Sequence, residues 1–209
     1  DDNASGSAAV LLAAAVLSSR RFENTIRYVL FTGEEQGLQG SYCYVQDAAA
    51  AGDDILGALD FDMIAYDGND DGEMQLHCGT AVSASETLGD LFIDTISSYG
   101  LDLDWTKLTV GSTTRSDHAR FWNAGYPAIL GIEDTAHDFN PFYHTANDLR
   151  SICNAPYATA FAKAAVGTVA RLAVLFPPTP TPAYPPPSAS ESGDFDGDGT
   201  DDCAVFSPS

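Results

Sequence analysis

A hydrophobic run that ends in two adjacent carboxylates constrains the fold of this chain most. Residues 26–31 are β-branched, aromatic and aliphatic, a composition that predicts a buried strand. A glycine-rich turn that contains Glu34 and Glu35 follows directly. Open α/β sheets place their chemistry at such strand ends. Because neighbouring side chains point in different directions, one carboxylate can bind a metal while the other handles a proton; a solvated acidic turn is the competing interpretation.

The rest of residues 1–176 alternates between strand and helix patterns. The first helix should be buried against a sheet, because residues 8–17 are apolar nearly all round, with Ser5 or Ser7 as its N-cap. The last helix should be capped by Asn154 and run to Phe176. Further helices are predicted at 38–50, 85–99 and 118–122, and further strands at 55–64, 74–77, 105–110 and 128–132.

Several acidic residues and one histidine lie beside these apolar runs. Asp2 precedes the first helix, and Asp60 and Asp62 share one face of the strand predicted at 55–64. An acidic side chain in a core strand is costly unless it is paired or binds a metal. Together with Glu34, Glu35 and His144, these residues suit zinc in a hydrolytic site, with Asp60 as the alternative to Asp62.

The remaining histidines are weaker candidates. We expect Asp117 and His118 to line a pocket rather than to bind metal, and His77 to lie on the surface. His137 beside Asp138 is a further, less favoured ligand.

Composition excludes some classes of partner. The 209 residues carry a formal charge of −21, with a pI near 4.1, which argues against nucleic acid and anionic membrane surfaces as partners. No apolar run is long enough to span a bilayer. We expect a secreted, extracellular protein. The four cysteines include no Cys-x-x-Cys, so a zinc ribbon is disfavoured, and three pairings stay open if they are oxidised.

The composition changes abruptly at Pro177. Residues 177–192 contain seven prolines and predict a stiff, extended linker. Residues 193–209 contain the D-x-D-x-D-G spacing of a calcium loop but lack the glutamate of an EF-hand. This segment resembles the start of an FG-GAP/VCBS repeat of exported bacterial proteins. Its candidate calcium ligands are Asp194, Asp196, Asp198 and Asp202. The acidic loop 67–73 has poorer spacing and is interpreted as a solvated turn.

Five short motifs resemble, in order, those of M28-type zinc aminopeptidases of the bacterial secreted type. They are Asp2-Asn3-Ala4-Ser5-Gly6, Thr32-Gly33-Glu34-Glu35-Gln36-Gly37, Phe61-Asp62-Met63-Ile64, Arg115-Ser116-Asp117-His118 and Tyr143-His144-Thr145. The resemblance covers roughly residues 1–175. It implies the zinc exopeptidase fold, which is an α/β fold with a mostly parallel mixed sheet between helices, and it implies a peptide substrate.

The resemblance also implies a role for each candidate residue. Asp2 would bridge two zinc ions, Glu35 and His144 would complete one zinc site, and Asp62 would belong to the other. Glu34 would act as general base, and the Tyr143 phenol would stabilise the oxyanion. Arg115 and Asp117 would lie in the substrate pocket.

The chain departs from the family pattern at its first residue. The family's second zinc also takes a histidine from a motif upstream of the bridging aspartate, and here nothing upstream is present. We therefore expect an N-terminally incomplete domain that binds one zinc well and has impaired activity, and that associates with a missing N-terminal segment or with itself. The alternatives are a non-catalytic exported structural or surface-assembly protein, or a carboxypeptidase, deacylase or glutaminyl cyclase on the same fold.

Overall fold

A four-stranded mixed sheet organises the chain. In the computed structural model, which describes residues 1–79 and 81–174, the strands are β1 (Ala58–Phe61), β2 (Glu73–His77), β3 (Asp104–Leu108) and β4 (Ala128–Glu133). Their order is β1-β4-β2-β3. The β1–β4 and β2–β3 pairs are parallel, and β2–β4 is antiparallel. The predicted α/β class with a mostly parallel mixed sheet is confirmed.

Within these ranges, five α-helices flank the sheet: α1 (Ala4–Leu17), α2 (Gln39–Ala51), α3 (Ala84–Tyr99), α4 (His118–Asn123) and α5 (Ala155–Leu172). A short 3-10 helix, Arg150–Ile152, precedes α5. The Asn154 side chain accepts from the Tyr157 amide at 3.2 Å, which confirms the predicted cap of α5. Gly100 ends α3 with φ +57, a left-handed conformation that glycine adopts without strain.

Two hydrophobic clusters hold the helices against the sheet. In the larger cluster the rings of Phe61, Phe92 and Phe161 pack with centroids 5.9–6.1 Å apart. A separate cluster joins Val45 of α2 to Phe121 of α4 and to the first residue of β4. The sheet is therefore covered by α1, α3 and α5 in one cluster and by α2 and α4 in the other.

The first helix differs from its prediction in two ways. Its N-cap is Asn3, whose Oδ1 accepts a hydrogen bond from the Gly6 amide at 3.0 Å. The prediction of Ser5 or Ser7 as the N-cap is therefore wrong. Asn3 is fixed there because its Nδ2 also donates to the Phe61 carbonyl at 2.9 Å. The helix is also not buried all round, because Leu11, Leu12 and Val16 are exposed. An alanine-rich sequence without periodicity did not indicate which face would be covered.

Residues 26–31 do not form the predicted sheet strand. Among the described residues, the main chain of 25–31 makes no hydrogen bond, and Tyr28 and Leu30 are exposed. Composition predicts an extended backbone, but a sheet strand also needs a neighbouring strand at hydrogen-bonding distance. The edge strand β1 pairs only with β4 among the described strands. The strand predicted at 55–64 is shorter in the structure, where only Ala58–Phe61 form β1.

Some predictions concern residues that lie outside the described ranges. They are the proline-rich linker 177–192, the segment 193–209 and its candidate calcium ligands Asp194, Asp196, Asp198 and Asp202. Within the described ranges, no helix has both the length and the apolar character needed to cross a membrane.

Candidate metal centre

Three of the predicted ligands meet at one point. His144 Nε2 lies 2.8 Å from Glu35 Oε1 and 3.3 Å from Asp2 Oδ2. One ligand atom of each residue lies within 4.8 Å of the other two. Asp2, Glu35 and His144 are far apart in the sequence. Their side chains nevertheless converge on a volume that one ion can fill.

The N-terminal loop is attached to the end of β1. The Ile64 amide donates to Ser5 Oγ at 3.0 Å, and the Ala65 amide donates to Asp1 Oδ1 at 3.2 Å. A Cβ on Gly6 would lie 2.0 Å from the Phe61 carbonyl oxygen, so only glycine permits this approach of α1 to β1. These contacts place Asp2 at the carboxyl end of the sheet, next to Asp62.

A compact turn presents the two glutamates. The Gly37 and Leu38 amides both donate to the Glu34 carbonyl, at 2.9 and 2.8 Å. Gly33 and Gly37 have φ +68 and +98, which only glycine adopts easily. Arg120 Nη2 on α4 donates to the Gly37 carbonyl at 2.8 Å. The turn therefore directs Glu35 to His144 and leaves Glu34 half-buried beside it.

A polar network joins the loops that carry Asp2 and His144. Asp148 Oδ2 accepts from the Asp2 amide at 2.8 Å, and its Oδ1 accepts from Asn140 Nδ2 at 2.9 Å. Asn140 Oδ1 accepts from the Phe142 amide at 2.9 Å, two residues before His144. Two buried or half-buried side chains thus fix the relative position of both loops.

Asp62 lies next to this cluster but is not one of the three convergent ligands. Its Oδ2 accepts from Ser116 Oγ at 2.8 Å, whereas its buried Oδ1 has no partner among the described residues. Burial and the charge of Asp60 raise the pKa of Asp62 to about 7. The Asp62 carboxylate is therefore available to a cation.

Asp60, the alternative to Asp62, is already partnered. Its Oδ2 accepts from the His118 amide at 2.9 Å and lies 3.2 Å from His118 Nδ1. The His118 ring is fully buried, and its Nε2 donates to the Thr113 carbonyl at 3.0 Å. The contacts of His118 with Asp60 and Thr113 therefore connect the loop before α4 to β1.

Glu34 and Tyr143 border the same cluster. Burial, followed by the charges of Glu35, Asp117 and Asp2, raises the pKa of Glu34 to about 7. The Tyr143 ring stacks on His144 with centroids 3.7 Å apart. Burial and the charges of the neighbouring carboxylates also raise the pKa of Tyr143, so its phenol keeps its proton at neutral pH.

The two proposed substrate-binding residues lie in different surroundings. Asp117 is buried, accepts a hydrogen bond from Ser41 and has a raised pKa, mainly because of burial. Arg115 is exposed, and its guanidinium makes no hydrogen bond or ion pair with any described residue. Their roles in binding stay predictions.

Sequence reasoning missed several polar residues because only tertiary contacts define them. Asn140, Asp148 and Glu133 carried no local signal, and Ser116 was part of the motif at 115–118 without a predicted role. His77 was predicted on the surface but is buried at the end of β2, where its Nδ1 accepts from the Thr113 amide at 3.1 Å. Burial lowers the pKa of His77 to about 4. Glu73, Asp134 and His137 form a second group of potential ligands away from Asp2.

Comparison with known proteins agrees with this architecture. The profile of Peptidase family M28 matches residues 1–169, and the chain therefore belongs to this family. It is 30% identical over 180 residues to leucine aminopeptidase 1 of Trichophyton equinum, an alignment that covers 83% of this chain and 48% of that protein. The chain thus spans about half the length of the curated relatives it matches.

Two solved structures extend the comparison. The LapA aminopeptidase of Legionella pneumophila is 28% identical, with a TM-score of 0.72, over 82% of this chain and 46% of LapA. A zinc aminopeptidase of Bacillus subtilis shares the fold, with a TM-score of 0.70 at 22% identity, over 84% of this chain and 44% of that chain. The described domain corresponds to less than half of each structure.

Proposed function

We propose that this chain carries the catalytic residues of a secreted, zinc-dependent aminopeptidase that hydrolyses the N-terminal peptide bond of peptides. The observation that carries the proposal is the convergence of Asp2, Glu35 and His144 with Glu34 beside them. Family membership and the names of the aminopeptidase relatives support it.

The donor set fits zinc. One imidazole nitrogen and two carboxylate oxygens are ligands that zinc takes in hydrolytic sites. Asp2, Glu34, Glu35 and Asp62 place four carboxylates together, and the unpartnered Asp62 Oδ1 adds a buried acceptor. Asp2, Glu35 and His144 would hold one zinc ion. Asp2 and Asp62 would contribute ligands to a second zinc site. When bound, zinc supplies Lewis acidity toward a carbonyl and lowers the pKa of water.

The residues themselves can position a substrate and move a proton. Glu34 has a pKa near neutrality, so its carboxylate can accept a proton from the attacking water and return it to the departing amine. The Tyr143 phenol can donate a hydrogen bond to the oxygen that becomes negative in the tetrahedral state. The surrounding carboxylates attract the cationic N-terminus of a peptide. Asp117 and Arg115 would lie in the substrate pocket, and the charge of Asp117 contributes to the raised pKa of Glu34.

Zinc binding should be tested by isothermal titration calorimetry on the metal-free protein. We expect saturable binding that His144→Ala weakens by more than the roughly 10–100-fold typical of substitutions that only support a ligand. His137→Ala is the matched control, because His137 belongs to the other potential cluster. Equal affinity in the wild type and in His144→Ala would refute the assignment of the ligands.

Peptidase activity needs a substrate panel. Leucine p-nitroanilide should be hydrolysed in preference to its N-acetylated form, and Glu34→Gln should lower kcat at least about 100-fold, as loss of a general base does. Glu23→Gln, an exposed glutamate outside the site, is the control. Hydrolysis of N-acetyl-leucine, which has a free carboxylate, in preference to leucine p-nitroanilide would favour a deacylase or carboxypeptidase. Zinc binding without any turnover would favour the non-catalytic alternative.

A further inference from the structure

A second group of potential metal ligands lies where β2 begins and β4 ends. Glu73 is the first residue of β2, and Asp134 directly follows β4. The register pairs Met74 with Glu133 across these antiparallel strands, so Glu73 and Asp134 are neighbours at this end of the two strands. One ligand atom of Glu73, one of Asp134 and one of His137 lie within 4.8 Å of one another. We call this feature the β2–β4 cluster.

A short turn after β4 brings His137 back to Asp134. The Asp138 amide donates to the Asp134 carbonyl at 3.2 Å, and the Ala136 amide donates to Asp134 Oδ1 at 3.0 Å. His137 Nδ1 then lies 3.1 Å from Asp134 Oδ2. The side chain of His137 is 75% exposed and that of Asp134 only 3%. An ion between them would therefore be open to solvent on one side and held by a buried carboxylate on the other.

Polar side chains from the sheet and from the turn hold both carboxylates in place. Gln75 Nε2 donates to Asp134 Oδ1 at 3.2 Å, and Gln75 Oε1 accepts from Thr135 Oγ1 at 2.7 Å. Thr106 Oγ1 of β3 donates to Glu73 Oε1 at 2.8 Å. Hydrogen bonds of this kind orient the ligands of metal ions. The β2–β4 cluster is therefore preorganised, unlike a set of acidic side chains that extend freely into water.

The β2–β4 cluster has more negative charge than its protein partners balance. No lysine or arginine in the described part of the chain forms an ion pair with Glu73 or Asp134, and the one cationic partner there is the His137 ring. A protonated imidazole would balance one of the two carboxylates, whereas a divalent cation balances both. Because a buried carboxylate is costly without such compensation, the surroundings of Asp134 favour a bound cation.

The chemistry of the donors selects the kind of ion. One imidazole nitrogen and two carboxylate oxygens, without sulfur, suit zinc. Calcium instead takes about six to eight ligands, all of them oxygens. The imidazole of His137 therefore disfavours calcium.

We propose that the β2–β4 cluster binds one zinc ion through Glu73, Asp134 and His137. The ion connects β2 to the loop that continues to Asn140, and Asn140 donates to Asp148 in the network described above. None of the three ligands belongs to the group formed by Asp2, Glu35 and His144. The proposal therefore does not depend on peptidase activity or on zinc at that first site.

Isothermal titration calorimetry with zinc chloride tests the proposal on the metal-free full chain that carries His144→Ala. This variant lacks a ligand of the first site, so a remaining one-to-one binding step reports the β2–β4 cluster. His137→Ala in the same background should weaken that step by more than the roughly 10–100-fold typical of substitutions that only support a ligand. Asp104→Asn is the matched control, because Asp104 is exposed and lies opposite Glu73 on β3 without being a ligand. It should bind zinc as its parent does.

Chemical modification locates the ion. Diethyl pyrocarbonate should acylate the exposed His137 imidazole in the metal-free His144→Ala protein, and zinc should prevent this modification, as measured by peptide mass spectrometry. Glu73→Gln has nearly the same shape but removes a charged ligand, so it should abolish the protection. Circular dichroism checks that each variant folds.

Several outcomes would overturn the proposal. The first is a His144→Ala protein that binds no zinc, or binds it equally well after His137→Ala is added. The second is protection of His137 that Glu73→Gln retains. An equal loss of affinity in Asp104→Asn would also overturn it, because general attraction to negative charge would then account for the binding.

Discussion

Glu133 is the most deeply buried carboxyl group at the end of β4. Its side chain is 0% exposed, its Oε1 accepts from the Asn140 amide at 2.9 Å, and its Oε2 has no partner among the described residues. Burial, with smaller contributions from Asp138 and Asp148, raises the pKa of Glu133 to about 8. The group is therefore protonated in the folded protein at neutral pH, although it ionises in the unfolded chain.

This difference predicts a pH dependence of stability. Because the folded protein holds a proton that the unfolded chain releases near pH 4.5, the contribution of Glu133 falls as the pH rises from about 4.5 to about 8. The slope is at most about 1.4 kcal/mol per pH unit. Glu133→Gln mimics the protonated form, so the variant should gain stability over wild type as the pH rises. Urea unfolding at a series of pH values measures this, and parallel curves for the two proteins would contradict it.

At the residue scale, the sequence predicts which residues are candidate ligands better than it predicts their hydrogen-bond partners. Residue type and motif predict Asp2, Glu35 and His144 as ligands, and the structure brings the three side chains together. Asp60 and Asp62 looked equivalent by period-2 logic, but only Asp60 is engaged by His118. The difference arises from the loop before α4, which is distant in sequence, so no local pattern could have shown it.

At the scale of elements, the start of α5 is fixed by one side chain. Asn154 caps the helix and also donates to Asp67 Oδ2 at 2.9 Å and to Asp70 Oδ1 at 3.1 Å. Asn154→Ala should lower the free energy of unfolding by about 1–2 kcal/mol, because the cap and the contact with the acidic loop are both lost. Ser83→Ala at the N-cap of α3 is the control and should have little effect, because Ser83 makes no capping hydrogen bond. Similar losses in both variants, by thermal or urea unfolding, would contradict the assignment.

The contact of α1 with β1 gives another prediction. Replacement of a helical glycine by alanine usually stabilises a helix by up to about 1 kcal/mol. Gly6→Ala should instead destabilise the protein, by about 1–3 kcal/mol, because the new methyl group would overlap the Phe61 carbonyl. Ser7→Ala on the same helix is the control. A stabilised Gly6→Ala variant, measured by urea unfolding, would show that α1 can move away from β1 freely.

Elements with a clear local signal were predicted well. The periodicity of α3, the cap of α5 and the apolar run of β4 each specify a structure within a few residues. The strand at 26–31 and the face of α1 were not, because both depend on what packs beside them. Extended backbone is a local property, whereas sheet membership is a relation between distant segments.

At the scale of the whole molecule, the net charge of −21 over 209 residues should oppose compactness. Raising NaCl from about 0.01 M to about 0.15 M shortens the screening length from about 30 Å to about 8 Å. We therefore expect the Tm to rise over this range. Choline chloride at equal ionic strength should produce the same rise if screening is the cause. A Tm that is insensitive to both salts would contradict this expectation.

The fold class and the family followed from motifs spread over most of the chain, because five short patterns in order are hard to match by chance. The geometry of the site could not be predicted, because it depends on the Asn140–Asp148 network that holds two loops together. The Asn140–Asp148 network should also restrict which substitutions relatives tolerate at these two positions. A homologue that changes residue 148 loses the anchor of both loops at once, so substitutions at 140 and 148 should covary across an alignment, and lineages that keep one should keep the other.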